Sequence, residues 1–217
     1  MSTVRLTPAL MLAAYRAGLF PMARNRDEPG LDWYDPPERG ILPLDAVHLP
    51  RRLRRTVLSN RFAVTADRAF DAVLTACAAP APGRTETWIN GEIAAVFGAL
   101  HRGGHAHSIE CREGGENGEL VGGLYGVAIG GAFFGESMFS CRPDASKVAL
   151  MHLVARLRLG GYALLDTQFV TDHLAQFGAT AIPRAAYQRR LAAAAAVRAA
   201  WHPVLSPDQL RDHLPLS

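Results

Sequence analysis

An α+β fold is predicted for this chain, because helical and extended hydrophobic patterns alternate along it. Its 217 residues, 49% of them hydrophobic, can bury a core of ordinary size without disulfides or metals. Gly130 and Gly131 separate two apolar extended runs, which predicts a tight hairpin between neighbouring strands. We therefore expect a mixed sheet whose faces are covered by helices.

The N-terminal part of the chain combines one clear helix with an irregular stretch. Thr7 can cap this helix, Pro8 suits its first turn, and Gly18 can end it. Residues 21–50 are then rich in proline and charge and show no regular hydrophobic period. We predict a small, irregular N-terminal α/β module over residues 1–60.

Regular hydrophobic periods begin after residue 61. Phe70, Val73 and Cys77 share one face of a predicted helix, and a second helix follows Asn90, which can cap it. The elements expected after these helices are strands at 105–112, 120–129 and 132–140, a helix to about residue 159 capped by Asp144 or Ser146, a buried strand at 162–170, a short helix at 171–177, a strand near 179–182 and an alanine-rich helix from Pro183.

These elements make one mixed sheet domain, which we place at residues 61–200, followed by a C-terminal tail at residues 201–217. The predicted domain resembles the core of the acyl-CoA N-acyltransferases, the GNAT superfamily. Because one fold serves many reactions, the function has to be argued from particular residues.

Composition narrows the classes of function. The cysteines Cys77, Cys111 and Cys141 form no CxxC pair and cannot all pair internally, which favours a reducing compartment and argues against a zinc site. The N-terminus has no signal-peptide pattern, and the most apolar run, residues 120–135, is too short and too rich in glycine to span a bilayer. We therefore expect a cytoplasmic protein. The net charge of +3 permits an anionic partner without requiring one.

Four segments of the chain are similar to one known family. They are residues 86–89 (ETWI), 104–110 (GHAHSIE), 119–140 (ELVGGLYGVAIGGAFFGESMFS) and 165–168 (LDTQ). With WYDPPERGILPLD upstream and FGA-x-x-IPR-x-x-Y downstream, they resemble the leucyl/phenylalanyl-tRNA-protein transferases over residues 8–191. Combined motifs of this length are far more specific than any single one.

The reaction that this resemblance implies is aminolysis of an ester. Leu or Phe, with Met as a further donor residue, would pass from Leu-tRNA or Phe-tRNA to the α-amine of a protein that begins with Arg or Lys, which marks that protein for degradation. An aminoacyl ester already reacts with neutral amines, so positioning, proton removal and oxyanion stabilisation can supply most of the acceleration. The scheme needs no cofactor and no metal, and we expect a monomer.

Three polar residues in apolar strands are the candidate catalytic residues. Asp166 and Gln168 alternate on a predicted strand, so both side chains should project from one face. By resemblance, both take part in catalysis, and we expect Gln168 to orient the amine while Asp166 accepts or relays positive charge. The alternative is that both only form hydrogen bonds with loops at a strand end.

Glu136 interrupts the apolar strand AFFGESMF, and a buried carboxylate requires a partner. The resemblance implies that Glu136 shapes the site of the aminoacyl adenosine or of the acceptor amine. An ion pair with a neighbouring arginine is the alternative.

Selectivity for Leu or Phe requires a blind apolar pocket, and aromatic rings can stack on the terminal adenine of tRNA. Pattern alone favours ordinary core positions for apolar strand residues, so their assignment to a pocket depends on the resemblance. The residues assigned to the aminoacyl side chain and the 3′ adenosine are Trp33, Trp88, Leu124, Phe133, Met138 and Ser140, with Phe134 as a further candidate.

The densest charge cluster comprises Arg51, Arg52, Arg54 and Arg55. These side chains can follow tRNA phosphates without reading sequence, although a run of charge is more often a solvated helix face. His105 and His107 alternate on a strand, but no cysteine or carboxylate has clear metal-ligand spacing to them, so we interpret them as structural.

Two other classes of protein compete with this interpretation. An acetyl-CoA-dependent N-acyltransferase fits the predicted fold, but residues 141–146 stand where its pyrophosphate loop would be expected. A peptidyl aminoacyl transferase of cell-wall synthesis is a closer alternative, separated by its different acceptor and its usual larger size. A non-catalytic tRNA-binding module would explain the arginines. It would leave Glu136, Asp166 and Gln168 unexplained.

Overall fold

The computed structural model describes residues 6–27, 31–80 and 85–215. The helices are α1 (Pro8–Arg16), α2 (Arg51–Leu58), α3 (Phe70–Ala78), α4 (Gly91–Arg102), α5 (Ala145–Leu159), α6 (Asp172–Ala175), α7 (Arg184–Ala195) and α8 (Pro207–His213). The strands are β1 (Phe20–Met22), β2 (Asp32–Tyr34), β3 (Glu38–Ile41), β4 (Ala63–Ala66), β5 (Ala106–Glu113), β6 (Glu119–Ile129), β7 (Ala132–Ser140), β8 (Leu164–Gln168) and β9 (Thr180–Pro183).

Seven of these strands form one mixed sheet in the order β4-β5-β6-β7-β8-β3-β9. The β7-β8 pair is parallel and the other pairs are antiparallel. One face packs on α2, α5 and α8, and the other packs on α1, α3, α4 and α7, so each face has its own apolar core. The predicted α+β class, with a mixed sheet covered by helices, is confirmed; the likeness of this sheet to the GNAT superfamily stays a prediction.

Local sequence signals explain where several elements begin. The Thr7 side chain accepts a hydrogen bond from the Leu10 amide at the start of α1, and Asn90 does the same for the Ile93 amide at the start of α4. Gly130 has a positive φ of 57° in the hairpin between β6 and β7. These three predictions are confirmed.

Two predicted features differ from the structure. Asp144 lies at the N-cap of α5 in the left-handed region and its side chain caps no amide; its carboxylate instead pairs with Lys147 and Arg52. The strand expected to reach residue 170 ends at Gln168, because the φ of Gln168 is 56° and turns the backbone out of the extended conformation.

Strand β3 belongs to the segment assigned to the N-terminal module, yet it lies inside the main sheet between β8 and β9. The division at residue 60 and the separate tail stay predictions. Among the residues that the structure describes, no helix is long and apolar enough to cross a membrane.

A gap in the sheet positions the site. The β7-β8 pairing ends at Phe134 and Asp166, although β7 continues to Ser140. Within β7, Gly135 pairs with Gly126 and Ser137 with Tyr125, which leaves Glu136 as the extra residue of a β-bulge. The two parallel strands therefore separate at Glu136, and the bulge directs its side chain into the opening.

Candidate active site

A cavity of about 460 Å³ occupies the gap between β7 and β8. Phe20, Trp88 and Phe169 are among the residues that line it, and Phe169 is 47% exposed. Its apolar end is lined by Leu124, Met138, Leu150, Leu153, Leu165 and Leu174. Its polar end is lined by Tyr125, Glu136 and Gln168.

The cavity reaches both faces of the sheet. Leu124 pairs directly with Met138, and both pack on the core beside α5. Tyr125 pairs with Ser137 and belongs to the core on the opposite face. Because directly opposed residues of an antiparallel pair share a face, the apolar and polar ends lie on opposite sides of the strands.

Glu136 forms hydrogen bonds with neutral groups at the polar end. The Tyr15 hydroxyl donates to Glu136 Oε1 over 2.7 Å, and Gln168 Nε2 donates to the same oxygen over 3.4 Å. Burial raises the pKa of Glu136 to about 8. The hydrogen bond from Tyr15 and the positive charge of Arg39 act to lower this pKa, whereas the negative charge of Asp166 raises it. At neutral pH this carboxyl therefore holds its proton for much of the time.

This raised pKa predicts how stability depends on pH. The folded protein keeps the Glu136 proton up to about pH 8, whereas the unfolded chain loses it near pH 4. Stability should therefore fall as pH rises between these values. The free energy of unfolding, measured with urea, is expected to decrease between pH 5 and pH 9 by roughly 1–3 kcal/mol more in the wild type than in Glu136→Gln. The Gln side chain cannot titrate but still accepts a hydrogen bond from Tyr15. Equal losses in the two proteins would contradict the shift.

Asp166 is fully buried and lies behind the cavity wall. Arg39 approaches it with Nη2 at 2.8 Å and Nε at 3.0 Å, and the Tyr187 hydroxyl donates to the same carboxylate. The Arg39 guanidinium lies over the rings of Phe20 and Tyr187, at 4.4 and 4.8 Å from their centroids, and donates to the Gly18 carbonyl. We call Asp166, Arg39 and Tyr187 the carboxylate clamp. Within it, Arg39 neutralises the charge of Asp166, and Arg39 and Tyr187 donate hydrogen bonds to its carboxylate.

The clamp holds Gln168 in a rare conformation. Asp166 Oδ1 accepts the Gln168 backbone N–H over 2.7 Å, while Gln168 itself has a φ of 56°. Such a left-handed non-glycine residue costs roughly 1 kcal/mol or more and persists only where its surroundings enforce it. A Cβ on Gly40 of the neighbouring strand would stand 2.5 Å from the Phe169 carbonyl carbon, so a glycine is needed where the turn passes. The turn directs the Gln168 side chain towards Glu136.

The structure brings most of the predicted site residues together. Gln168 and Glu136 meet in the cavity, while Asp166 does not line it and instead accepts the Gln168 backbone N–H from behind the wall. The predicted alternation of Asp166 and Gln168 on one face ends at the left-handed turn. The predicted binding residues that line the cavity are Trp88, Leu124, Met138 and Ser140.

Three predicted binding residues lie elsewhere. The Phe133 ring stacks on Trp201 and meets Tyr162 edge-on, so it belongs to the core beside α5 and does not line the cavity. Phe134 packs against Tyr15 on the opposite face. Trp33 is 37% exposed on β2, where it pairs with Pro21, a residue of the cavity wall.

The arginines of α2 divide into two sets. Arg51, Arg54 and Arg55 surround one surface hollow, and Arg54 Nη1 is buried there with no hydrogen-bond partner in the described part of the chain. Arg52 instead pairs with Asp144 over 3.4 Å. His107 forms a hydrogen bond with Asp67 and stacks on Trp201, which accords with the structural role predicted for it.

Sequence reasoning missed the clamp and the tyrosines around the site. Arg39 lies in the motif WYDPPERGILPLD and Tyr187 in FGA-x-x-IPR-x-x-Y. Both motifs carry the family resemblance, so membership in them could have indicated that these two residues belong to the site. Tyr15 lies on the buried face of α1. Its contact with Glu136 spans 121 residues of sequence, which no local pattern reports.

Comparison with known proteins identifies the family. The family model described as "Leucyl/phenylalanyl-tRNA protein transferase" matches residues 41–192, and the model of that family's N-terminal domain matches residues 5–37. The leucyl/phenylalanyl-tRNA-protein transferase of Gluconobacter oxydans is 57% identical over 209 residues, covering 96% of this chain and 92% of its own. The leucyl/phenylalanyl-tRNA-protein transferase of Paramagnetospirillum magneticum is 61% identical over 196 residues, which cover 90% of this chain and 92% of that relative. A solved structure, L-PGS from Bacillus licheniformis, is 16% identical with a TM-score of 0.42, covering 76% of this chain and 54% of that one. This chain therefore belongs to the leucyl/phenylalanyl-tRNA-protein transferase family.

Proposed function

We propose that this protein transfers Leu, Phe or Met from an aminoacyl-tRNA to the N-terminal α-amine of proteins that begin with Arg or Lys. The observation that carries the proposal is one cavity that joins a leucine-lined end to a carboxyl and an amide. Family membership favours aminoacyl-tRNA over acetyl-CoA as the donor, a protein over a cell-wall precursor as the acceptor, and an enzyme over a binding module.

The apolar end suits the donor side chain. Its lining residues are leucines apart from the flexible Met138, so it can adapt to branched, aromatic or thioether side chains without offering them a charge. With the side chain in this end, the aminoacyl ester would lie at the gap between β7 and β8, beside Gln168. Trp88 at the cavity wall, and Trp33 next to it, are the proposed stacking partners of the 3′ adenine.

The reaction is attack of the acceptor nitrogen on the ester carbonyl carbon. A C–N bond forms, the bond to the tRNA 3′ oxygen breaks, and the proton lost by the amine leaves with that oxygen as a hydroxyl. Gln168 Oε1 would accept a hydrogen bond from the attacking amine and so orient its lone pair. An amide is a very poor base, so its contribution is orientation.

Asp166 is a positioning residue in this scheme. Its carboxylate fixes the left-handed backbone of Gln168 through the amide N–H, and Arg39 and Tyr187 fix the carboxylate in turn. Glu136 is the one carboxyl among the described residues that line the cavity, so it is the group that would attract a basic acceptor. The proposed catalytic residues are therefore Gln168 and Glu136, with Asp166 behind them.

Arg51, Arg54 and Arg55 are proposed to contact the tRNA backbone, with Arg52 beside them. Substituting Arg54 with Ala should raise the KM for charged tRNA to a similar extent for Leu and Phe donors, because phosphate contacts carry no sequence information. It should also reduce the slope of log affinity against log salt by about one unit. Arg189→Ala on the exposed side of α7 is the matched control. An unchanged salt slope in Arg54→Ala would remove this arginine from the tRNA surface.

We further propose that the protein acts as a monomer in the cytoplasm, where charged tRNA is found. Its three cysteines, all in the described part of the chain, form no disulfide, and Cys77 and Cys111 are buried.

The test of the proposed function is transfer of radiolabelled Leu or Phe from charged tRNA to peptides that begin with Arg, Lys, Asp or Ala. Transfer to the Arg and Lys peptides alone is the expected result. Absence of transfer to every peptide would overturn the proposed function, and transfer to the Asp peptide would overturn the proposed acceptor.

A further inference from the structure

Three large apolar side chains are exposed to solvent beside the cavity. Tyr34 is 40% exposed, Phe169 is 47% exposed, and Val170, which follows it directly, is 38% exposed. Tyr34 stacks on Phe20 at a ring-centroid distance of 5.7 Å, and Phe169 meets the same ring edge-on at 5.6 Å. Phe20 and Phe169 both line the cavity, so this group is continuous with it. We call Tyr34, Phe169 and Val170 the apolar rim.

The backbone around Gln168 holds Phe169 in this exposed position. The Phe169 N–H donates to the Thr167 carbonyl over 2.6 Å, which closes a three-residue turn centred on Gln168, whose φ is 56°. The Thr167 hydroxyl donates to the Phe169 carbonyl over 3.2 Å and fixes the turn further. A strained turn costs free energy and an exposed ring gains little from burial, so the two together indicate a surface that binds a partner.

The position of the rim favours the acceptor protein as that partner. In the proposed function Gln168 orients the acceptor amine, so the first residue of the acceptor lies in the cavity and the rest of its chain leaves through the mouth. The second residue follows about 3.8 Å further along, the same Cα spacing that separates Gln168 from Phe169. The side chain of the second residue is therefore the group that reaches the apolar rim.

The charges near the rim favour a polypeptide over the tRNA strand. Arg24 and Arg184 lie near β2 and are already engaged, Arg24 with Asp32 and Arg184 with Asp35. A nucleic acid strand that stacks its bases on aromatic rings also requires cations for its phosphates, and the arginines of α2 offer these elsewhere on the protein. The uncharged rim instead suits an apolar side chain.

We propose that the apolar rim is a specificity subsite for the second residue of the acceptor protein, and that it prefers a large apolar side chain there. This inference rests on the proposed function and extends it, because the cavity would select the first residue of the acceptor and the rim would select the next one. Phe169 is the central member of the subsite, since it lies on the cavity wall and at the surface.

Phe169→Ala is the decisive variant, because it removes the ring and keeps a Cβ at the turn. kcat/KM for Leu transfer is measured with the peptides Arg-Leu-Gly-Gly, Arg-Ser-Gly-Gly and Arg-Gly-Leu-Gly. The wild type should prefer the first peptide over the other two by roughly four- to tenfold, the effect of burying about half of a leucine side chain. In Phe169→Ala this preference should fall below about twofold.

A matched pair of variants tests whether position in the rim matters. Val170→Ser and Val204→Ser change the same residue type, but Val204, which is 75% exposed, follows β9 and α7 in the chain and does not line the cavity. Val170→Ser should lower the preference for the first peptide, whereas Val204→Ser should retain it. Damage to Gln168 would lower kcat/KM for all three peptides in proportion, so the ratio of the peptides reports the rim alone.

The proposal is overturned if the wild type does not prefer Leu at position two over Leu at position three, or if Phe169→Ala keeps the wild-type preference. It is also overturned if Phe169→Ala raises KM for charged tRNA and leaves the peptide ratio unchanged, which would assign the rim to the tRNA strand. Failure of the proposed function looks different, because the wild type would then transfer Leu to none of the three peptides.

Discussion

Replacement of Asp166 by Ala is expected to lower the free energy of unfolding by about 3–5 kcal/mol and to abolish transfer. Arg39 is 1% exposed and has Asp166 as its carboxylate partner, so the substitution leaves a guanidinium buried without a counter-charge. The same change removes the acceptor of the Gln168 amide and releases the left-handed turn. Urea unfolding and Leu transfer, measured on the same preparation, report the two effects.

Two controls separate stability from positioning. Asp35→Ala breaks a more exposed ion pair, with Arg184, and should change stability by about 1 kcal/mol or less. The double variant Arg39→Met with Asp166→Leu removes both buried charges together and should recover much of the stability without recovering transfer. Recovery of both stability and transfer in the double variant would show that Asp166 does not position Gln168.

Replacement of Gln168 by Ala should reduce kcat by roughly 10²–10³-fold with little change in stability. The side chain of Gln168 contacts Glu136 over a long 3.4 Å and lines the cavity, so its removal exposes no buried charge. The backbone strain at φ 56° is similar for Ala and Gln, since both carry a Cβ. KM for the donor should change much less than kcat, because the donor side chain binds at the other end of the cavity.

Gln188→Ala provides the matched control, because this glutamine donates to the Ala17 carbonyl on the outside of the fold. It should retain wild-type kcat. If Gln168→Ala instead raises KM for charged tRNA and leaves kcat unchanged, Gln168 binds the donor and does not orient the amine.

Much of the architecture was predictable because its signals are local. Thr7 and Asn90 each satisfy an amide three positions away, and the glycine pair at 130–131 permits a hairpin between runs of opposite direction. Glu136 was recognisable as a site residue because a carboxylate within an apolar strand has to be explained. The caps, the hairpin and this candidate each depend on only a few neighbouring residues.

The clamp was not predictable in the same way. Arg39 and Asp166 are 127 positions apart and meet because β3 inserts beside β8, an order of strands that no hydrophobic period reports. The rule of alternation also failed at Gln168, since a left-handed residue ends the strand there. Phe133 was assigned to the pocket and lies in the core beneath Trp201, because the residue type alone does not distinguish the two apolar environments.

By itself, the sequence determined the α+β class, the caps, the hairpin and the family to which the chain belongs, since each depends on short-range patterns or on motifs read directly. Only the tertiary structure decided that Asp166 lies behind Gln168, that Glu136 protrudes from a bulge, and that the Tyr125 hydroxyl has no hydrogen-bond partner within the described ranges of the chain. Those arrangements depend on which strands become neighbours and where two of them separate. That outcome is set by packing both faces of the sheet at once, which no single segment encodes.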